Sequence, residues 1–105
     1  MDKALATLEF QLLSAAAHLG ARAYGAAIYS TVREQTGRAV SLGACYATLG
    51  RLEAKGYLTS TEGEPTPERG GRRKRFYRIT GAGVVVLRDS VAMLQRSLAL
   101  VPSFG

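Results

Sequence analysis

Ser41-Leu42-Gly43-Ala44-Cys45-Tyr46-Ala47-Thr48-Leu49-Gly50-Arg51-Leu52-Glu53-Ala54-Lys55-Gly56-Tyr57-Leu58 carries the sharpest helix signal in the chain. Leu42, Cys45, Leu49 and Leu52 recur at spacings of three, four and three, the period of one face of an α-helix. Ser41 stands where a hydroxyl can cap the helix start, and Gly56 where the chain must leave it. The face turned away from that stripe holds Gly43, Ala44, Tyr46, Ala47, Thr48, Gly50, Arg51 and Lys55. It is small, hydroxylic and basic. Such a surface lets a helix approach a phosphate edge closely, with the free N–H groups near Ser41 offered to an anion. The same Ala and Gly residues would also ease packing against another part of the protein.

Upstream, Leu5, Leu8, Leu12, Ala16 and Leu19 mark one side of a helix ending near Gly20. Tyr24, Ile28 and Val32 stand four apart in a second helix that Gly37 stops, and residues 38–40 leave room only for a stub of strand. Downstream, Tyr57 to Glu62 is rich in Thr, Tyr and Leu, as strands are. In the stretch Arg72 to Ile79, alternation puts Arg75, Tyr77 and Ile79 on one face. Between them, residues 63–71 form a Pro/Gly-rich turn region through which no strand is expected to run. Thr80 then caps a last helix, where Leu87, Val91, Leu94, Leu98 and Val101 repeat at four and three before Pro102.

The expected order is therefore three helices, a two-stranded hairpin and a long terminal helix. That is a mainly α, α+β winged helix-turn-helix, in which the third helix enters the major groove and the hairpin wing lies against the backbone. Residues 1–80 would form the DNA-binding part and 81–105 a terminal dimerisation helix in the same unit.

Charge placement supports the reading. Fourteen Lys and Arg stand against eight Asp and Glu, a formal charge of +6. Six of the basic residues, Arg69, Arg72, Arg73, Lys74, Arg75 and Arg78, fall in residues 69–78 without an acid, and the rest of the chain balances. Charge confined to the far strand of the hairpin suits a phosphate-facing patch better than dispersed solubilising charge. Other classes drop out. The chain's 105 residues suffice for one domain, and its 47% hydrophobic content exceeds that of disordered chains. One Cys and one His make no disulfide and no metal cluster. Apolar windows are broken well short of the roughly 20 residues of a membrane span, and Met1-Asp2-Lys3 does not open a leader, so a soluble cytoplasmic protein is expected. No phosphate-loop motif, carboxylate pair or nucleophile with a His partner points to an enzyme or a cofactor.

Three segments together resemble the PadR-type bacterial transcriptional regulators over nearly the entire chain. They are Ala23-Tyr24-Gly25, the stretch Ser41 to Leu58, and Gly71-Arg72-Arg73-Lys74-Arg75-Phe76-Tyr77-Arg78-Ile79-Thr80-Gly81-Ala82-Gly83. The family pattern has a small residue followed two positions on by Tyr in the third helix, then Leu-x-x-Leu-Glu-x-x-Gly. In the wing an Arg/Lys cluster leads into Tyr-x-Leu-Thr-x-x-Gly. The chain departs at Ala23, where Gly is usual, and at Cys45, where an aliphatic residue is usual; both are tolerable, since Cys packs as a small hydrophobe. The resemblance implies a homodimeric repressor on a palindromic double-stranded DNA operator, commonly released by a small effector. With a single helix after the wing, an effector pocket would form at the dimer interface, and the absence of Trp removes the aromatic sandwich that some short members use for flat drugs.

The expected DNA contacts are Ser41, Gly43, Tyr46, Thr48 and Arg51 from the third helix and Arg72, Arg73, Lys74 and Arg75 from the wing. Tyr46 is the leading groove or phosphate contact, and Lys55 is expected to be solvated or near phosphate. The expected dimer interface is Leu87, Val91, Leu94, Leu98 and Val101. Tyr77 and Ile79 are assigned to the core, Cys45 to buried filler and His18 to a helix surface. The same fold class also serves as a protein-docking or RNA-reading module, the alternative left open.

Overall fold

The Ser41 hydroxyl accepts the Ala44 N–H at 3.0 Å and starts the third helix, α3, Leu42–Ala54. The computed structural model describes residues 5–37, 39–65 and 73–104. Before α3 come α1, Thr7–Leu19, a 3-10 turn over Gly20–Arg22, and α2, Gly25–Thr36. After it come β1, Leu58–Pro65, β2, Arg73–Ile79, and α4, Gly81–Leu100. This is the winged-helix order that the periodicities predict.

Helix ends follow local chemistry. The Ala6 N–H at the start of α1 donates to Glu9 Oε1 at 2.9 Å, half of a capping box; Ala6 has no oxygen to complete it. Gly37 ends α2 in the left-handed region with φ 64°, and Gly56 leaves α3 with φ 82°. Thr80 does two jobs at the root of α4. Its hydroxyl accepts the Gly83 N–H at 3.0 Å and donates to the Gly56 carbonyl at 2.6 Å, tying the start of α4 to the exit of α3.

The core gathers Leu12, Leu13 and Ala16 of α1, Ile28 and Val32 of α2, and Cys45, Leu49 and Leu52 of α3. Leu58 and Tyr77 close it from the hairpin, and Val86 from α4. Each large aliphatic side chain buried there contributes roughly 1.5–3 kcal/mol of hydrophobic stabilisation. Cys45 is wholly buried, Tyr77 belongs to the core, Ile79 packs against it, and His18 is exposed, each as expected.

Four local expectations need correction. Thr48, placed on the outer face of α3, is fully buried, while Leu42 of the apolar stripe is 49% exposed. The reason is α1, which packs along the Thr48 flank and draws the buried face of α3 toward it, leaving the first turn uncovered. Tyr24 does not lie in α2. It precedes the helix in an extended conformation and bridges to Phe76 of β2. Strand β1 does not stop before residues 63–65 but continues to Pro65. The register shifts between Glu62 and Pro65, an irregularity of the kind that admits proline at a sheet edge.

In α4 the buried residues are Gly83, Val86 and Ser90. Beyond Ser90 the stripe runs clear of the rest of the chain: Val91, Leu94 and Leu98 are exposed, whereas Leu87 packs on the core. Val101, expected in the same stripe, is exposed too but caps α4 in an extended conformation and so leaves its face. No helix among the described residues is long and apolar enough to cross a membrane.

Candidate nucleic-acid interface

With Cys45, Thr48, Leu49 and Leu52 buried, the 3.6-residue turn places Gly43, Ala47, Gly50 and Ala54 diametrically opposite, and all four are exposed. The outer ridge of α3 is thus nearly bare backbone, which permits close approach to a groove. Side chains with chemistry stand on its two flanks, Tyr46 and Glu53 on one, Arg51 and Lys55 on the other.

Tyr46 is 43% exposed, and its ring lies over the first residue of α2. An ideal Cβ at Gly25 would come within 2.7 Å of Tyr46 Cε1. Half of the tyrosine is therefore packed, and the other half faces outward, as expected. On the opposite flank the Arg51 guanidinium donates to Thr48 Oγ1 at 2.8 Å. Thr48 thus has no surface of its own to offer DNA; it orients Arg51, which does. Lys55 is also committed. Its ammonium meets the carboxylate of Glu9, a side chain only 6% exposed, at 2.6 Å. Burial alone would push the Glu9 carboxyl up; the hydrogen bonds from Lys55 and the Ala6 N–H, with the charges of Lys55 and Arg51, more than offset it and hold Glu9 below the ordinary carboxylate range. Lys55 therefore pins α3 to α1 through one side of its ammonium while its side chain stays nearly half exposed, as expected from the sequence for a solvated lysine.

The hairpin is antiparallel, with Leu58 opposite Ile79, Ser60 opposite Tyr77 and Glu62 opposite Arg75. Arg75 donates to Ser60 Oγ at 3.0 Å, and Ser60 donates to Glu53 Oε2 at 2.8 Å. This chain couples the end of α3 to the wing and holds an exposed guanidinium at their junction. Lys74 lies with its ammonium 4.4 Å from the centroid of the Tyr24 ring. Arg78 is exposed, Arg73 opens β2 opposite Pro65, and Arg72 falls outside the described residues.

Of the residues singled out from sequence, Ser41, Gly43, Tyr46 and Arg51 are exposed at the start and along the two flanks of α3. Lys74 and Arg75 stand on opposite faces of the wing, Arg75 toward the end of α3 and Lys74 over Tyr24. Thr48 is buried behind the exposed face of α3, and Lys55 at its edge is paired with Glu9. Sequence reasoning missed Glu9, Tyr24, Glu53 and Ser60. Glu9 carried one available signal, its place in the first turn of α1, where a carboxylate can reach back to the cap N–H. Cys45, with burial pushing its thiol up, is inert filler in the α3 core.

The sequence profile of the family described as transcriptional regulator PadR-like matches residues 13–89. No curated protein matches the chain. Among solved structures, a PadR family transcription regulator from hypervirulent Clostridium difficile R20291 is similar with a TM-score of 0.76 at 21% identity, covering 90% of this chain and 94% of that one. A transcriptional regulator from Clostridium thermocellum gives 0.72 at 24% identity, over 89% and 84% of the two chains. A PadR family transcriptional regulator from Eggerthella lenta DSM 2243 gives 0.64 at 25%, over 84% and 74%. At 21% and 24% identity the likeness shows a shared fold.

Proposed function

The chain belongs to the PadR-like family of transcriptional regulators, and on that premise we propose that it is a sequence-specific repressor gripping a palindromic DNA operator as a homodimer. The family regulates transcription and does not transform a substrate. The observation that carries the finer reading is the junction of two exposed elements, the bare ridge of α3 with Tyr46 and Arg51 and the wing with Lys74 and Arg75, joined through Glu53 and Ser60. A smooth helix surface flanked by donors fits base edges, and cations on a hairpin fit phosphates. Gly43 and the Ser41 end of α3 would lie nearest the DNA, with Arg72 and Arg73 adding to the wing's grip.

The dimer is supported by α4. Val91, Leu94 and Leu98 continue a four-three seam from Leu87 that is exposed over about two turns of α4, and a seam of that kind is covered by a helix crossing at a shallow angle. With Leu87 at its root, the same patch used on both subunits gives a two-fold interface. Residues 81–105 then act as the dimerisation segment of the DNA-binding part, residues 1–80. Two recognition helices would stand about one DNA turn apart, roughly 34 Å. Release by a small effector between the protomers completes the reading, and the cytoplasm, where a bacterial operator lies, is the place of action.

Titration of duplex DNA against salt tests this. If each protomer neutralises about three to five phosphates, log K falls with log salt at a slope of roughly −5 to −9. A slope near zero would sink the reading and leave a protein-docking module in its place. Footprinting the region upstream of the gene then looks for the palindrome.

A further inference from the structure

The geometry points to Tyr24 as the residue that sets where the wing's Lys74 ammonium is held, a positioning role for DNA binding that rests on the function proposed above.

Strand β2 has a second neighbour at its base. On one edge it pairs with β1; on the other, the Tyr77 N–H donates to the Ala23 carbonyl at 2.8 Å and Phe76 bridges to Tyr24. The Tyr24 ring meets the Phe76 ring edge to face, with centroids 5.8 Å apart and planes at 61°. Phe76 in turn lies over β1 at Gly63, where an ideal Cβ would stand 2.7 Å from Phe76 Cε1. Gly63, Phe76 and Tyr24 thus form a continuous stack across the wing. Lys74, two residues before Phe76 on the same strand, lays its ammonium 4.4 Å from the Tyr24 ring centroid.

A lysine on a projecting hairpin would otherwise sample many rotamers, and ordering it on DNA would weaken binding. The electron-rich face of Tyr24 attracts the ammonium before DNA arrives, which an aliphatic residue of the same bulk cannot do. The neighbouring residue, Gly25, makes room for Tyr46 of α3. Adjacent residues at the head of α2 thus touch one side chain of the wing and one of the recognition helix, Tyr24 the Lys74 ammonium and Gly25 the Tyr46 ring.

A double-mutant cycle on mixed-sequence duplex DNA tests the role, since a phosphate contact is indifferent to sequence. Tyr24→Leu should weaken binding about three- to tenfold when Lys74 is present and less than about twofold in a Lys74→Gln background. Tyr24→Phe, which keeps the ring, should bind within about twofold of wild type. An equal loss in both backgrounds overturns the inference and leaves Tyr24 a packing residue only. A second reading needs only the free wild-type protein: ring currents should shift the Lys74 ε-methylene protons upfield of the position they take in an unfolded peptide of the same sequence. Unshifted protons also overturn it. A wild-type protein that shows the shift but binds no duplex DNA at any salt refutes the proposed function, and with it any role for Tyr24 in DNA binding; binding with an additive cycle refutes the role of Tyr24 alone.

Discussion

Gly25 of α2 and Tyr46 of α3 are in contact through an absence: the missing Cβ of Gly25 is the space in which the Tyr46 ring lies, with Cε1 2.7 Å from where that carbon would be. The atoms met are the far end of a side chain that is free to swing outward. Gly25→Ala should therefore be cheap for the fold and costly for the site. We expect stability within about 1 kcal/mol of wild type, because Ala is the better helix former, and operator affinity lower by on the order of 1–3 kcal/mol, because the ring is displaced. Thermal melts beside binding titrations check this; an unfolded variant would show that the Tyr46 ring is core.

Gly83 presents the opposite case. Its ideal Cβ would collide with the backbone carbonyl of Tyr57 and stand 2.7 Å from Cγ1 of Ile79. Backbone cannot swing away, so α4 would have to lift from the hairpin root. Gly83→Ala should cost about 1–3 kcal/mol in urea unfolding despite the higher helix propensity of Ala. A neutral result would mean that α4 is not seated against Tyr57.

The Glu9–Lys55 pair makes stability depend on acid. Glu9 is held below the ordinary carboxylate range in the folded protein, so its contribution is full above that range and is lost as pH falls through the lowered folded value. Lys55 is nearly half exposed, which limits the pair to about 1 kcal/mol. Glu9→Gln should be destabilised by about that amount near pH 7 and converge on wild type in more acid solution. Parallel unfolding curves at all pH values would contradict the pairing.

Leu94 is 44% exposed in the middle of the α4 seam. Leu94→Glu would set a like charge in the interface twice per dimer and should leave the isolated winged helix folded while abolishing the dimer. Light scattering should report twice the chain mass for wild type at micromolar concentration and dissociation or aggregation for the variant, with operator binding lost in parallel. A wild-type mass of one chain would refute the dimer.

Much of this molecule is legible locally. A Ser before a three-four-three apolar stripe caps and phases α3 because both effects act within a few residues of one another. The Thr80 cap of α4, the glycine exits at Gly37 and Gly56, and the concentration of charge on the far strand are local in the same sense. The family pattern fixes which glycine follows Thr80, and the Tyr57 carbonyl beside Gly83 supplies the reason for it.

What only the tertiary structure decided is which residues on the flanks of a helix are spent inside the protein. Periodicity separates the centre of a buried face from the centre of an exposed one, but Thr48 and Lys55 lie between, where the outcome depends on the neighbour. That neighbour is α1, and the ion pair from Lys55 reaches Glu9 across 46 positions of sequence. Tyr24 left the helix that its spacing with Ile28 and Val32 implied because the open edge of β2 offered its segment backbone partners, and Phe76 and Lys74 offered its ring partners. Short-range periodicity and capping thus set the elements and their faces, whereas burial at a flank is a property of two surfaces brought together by folding, and one of them is always written elsewhere in the chain.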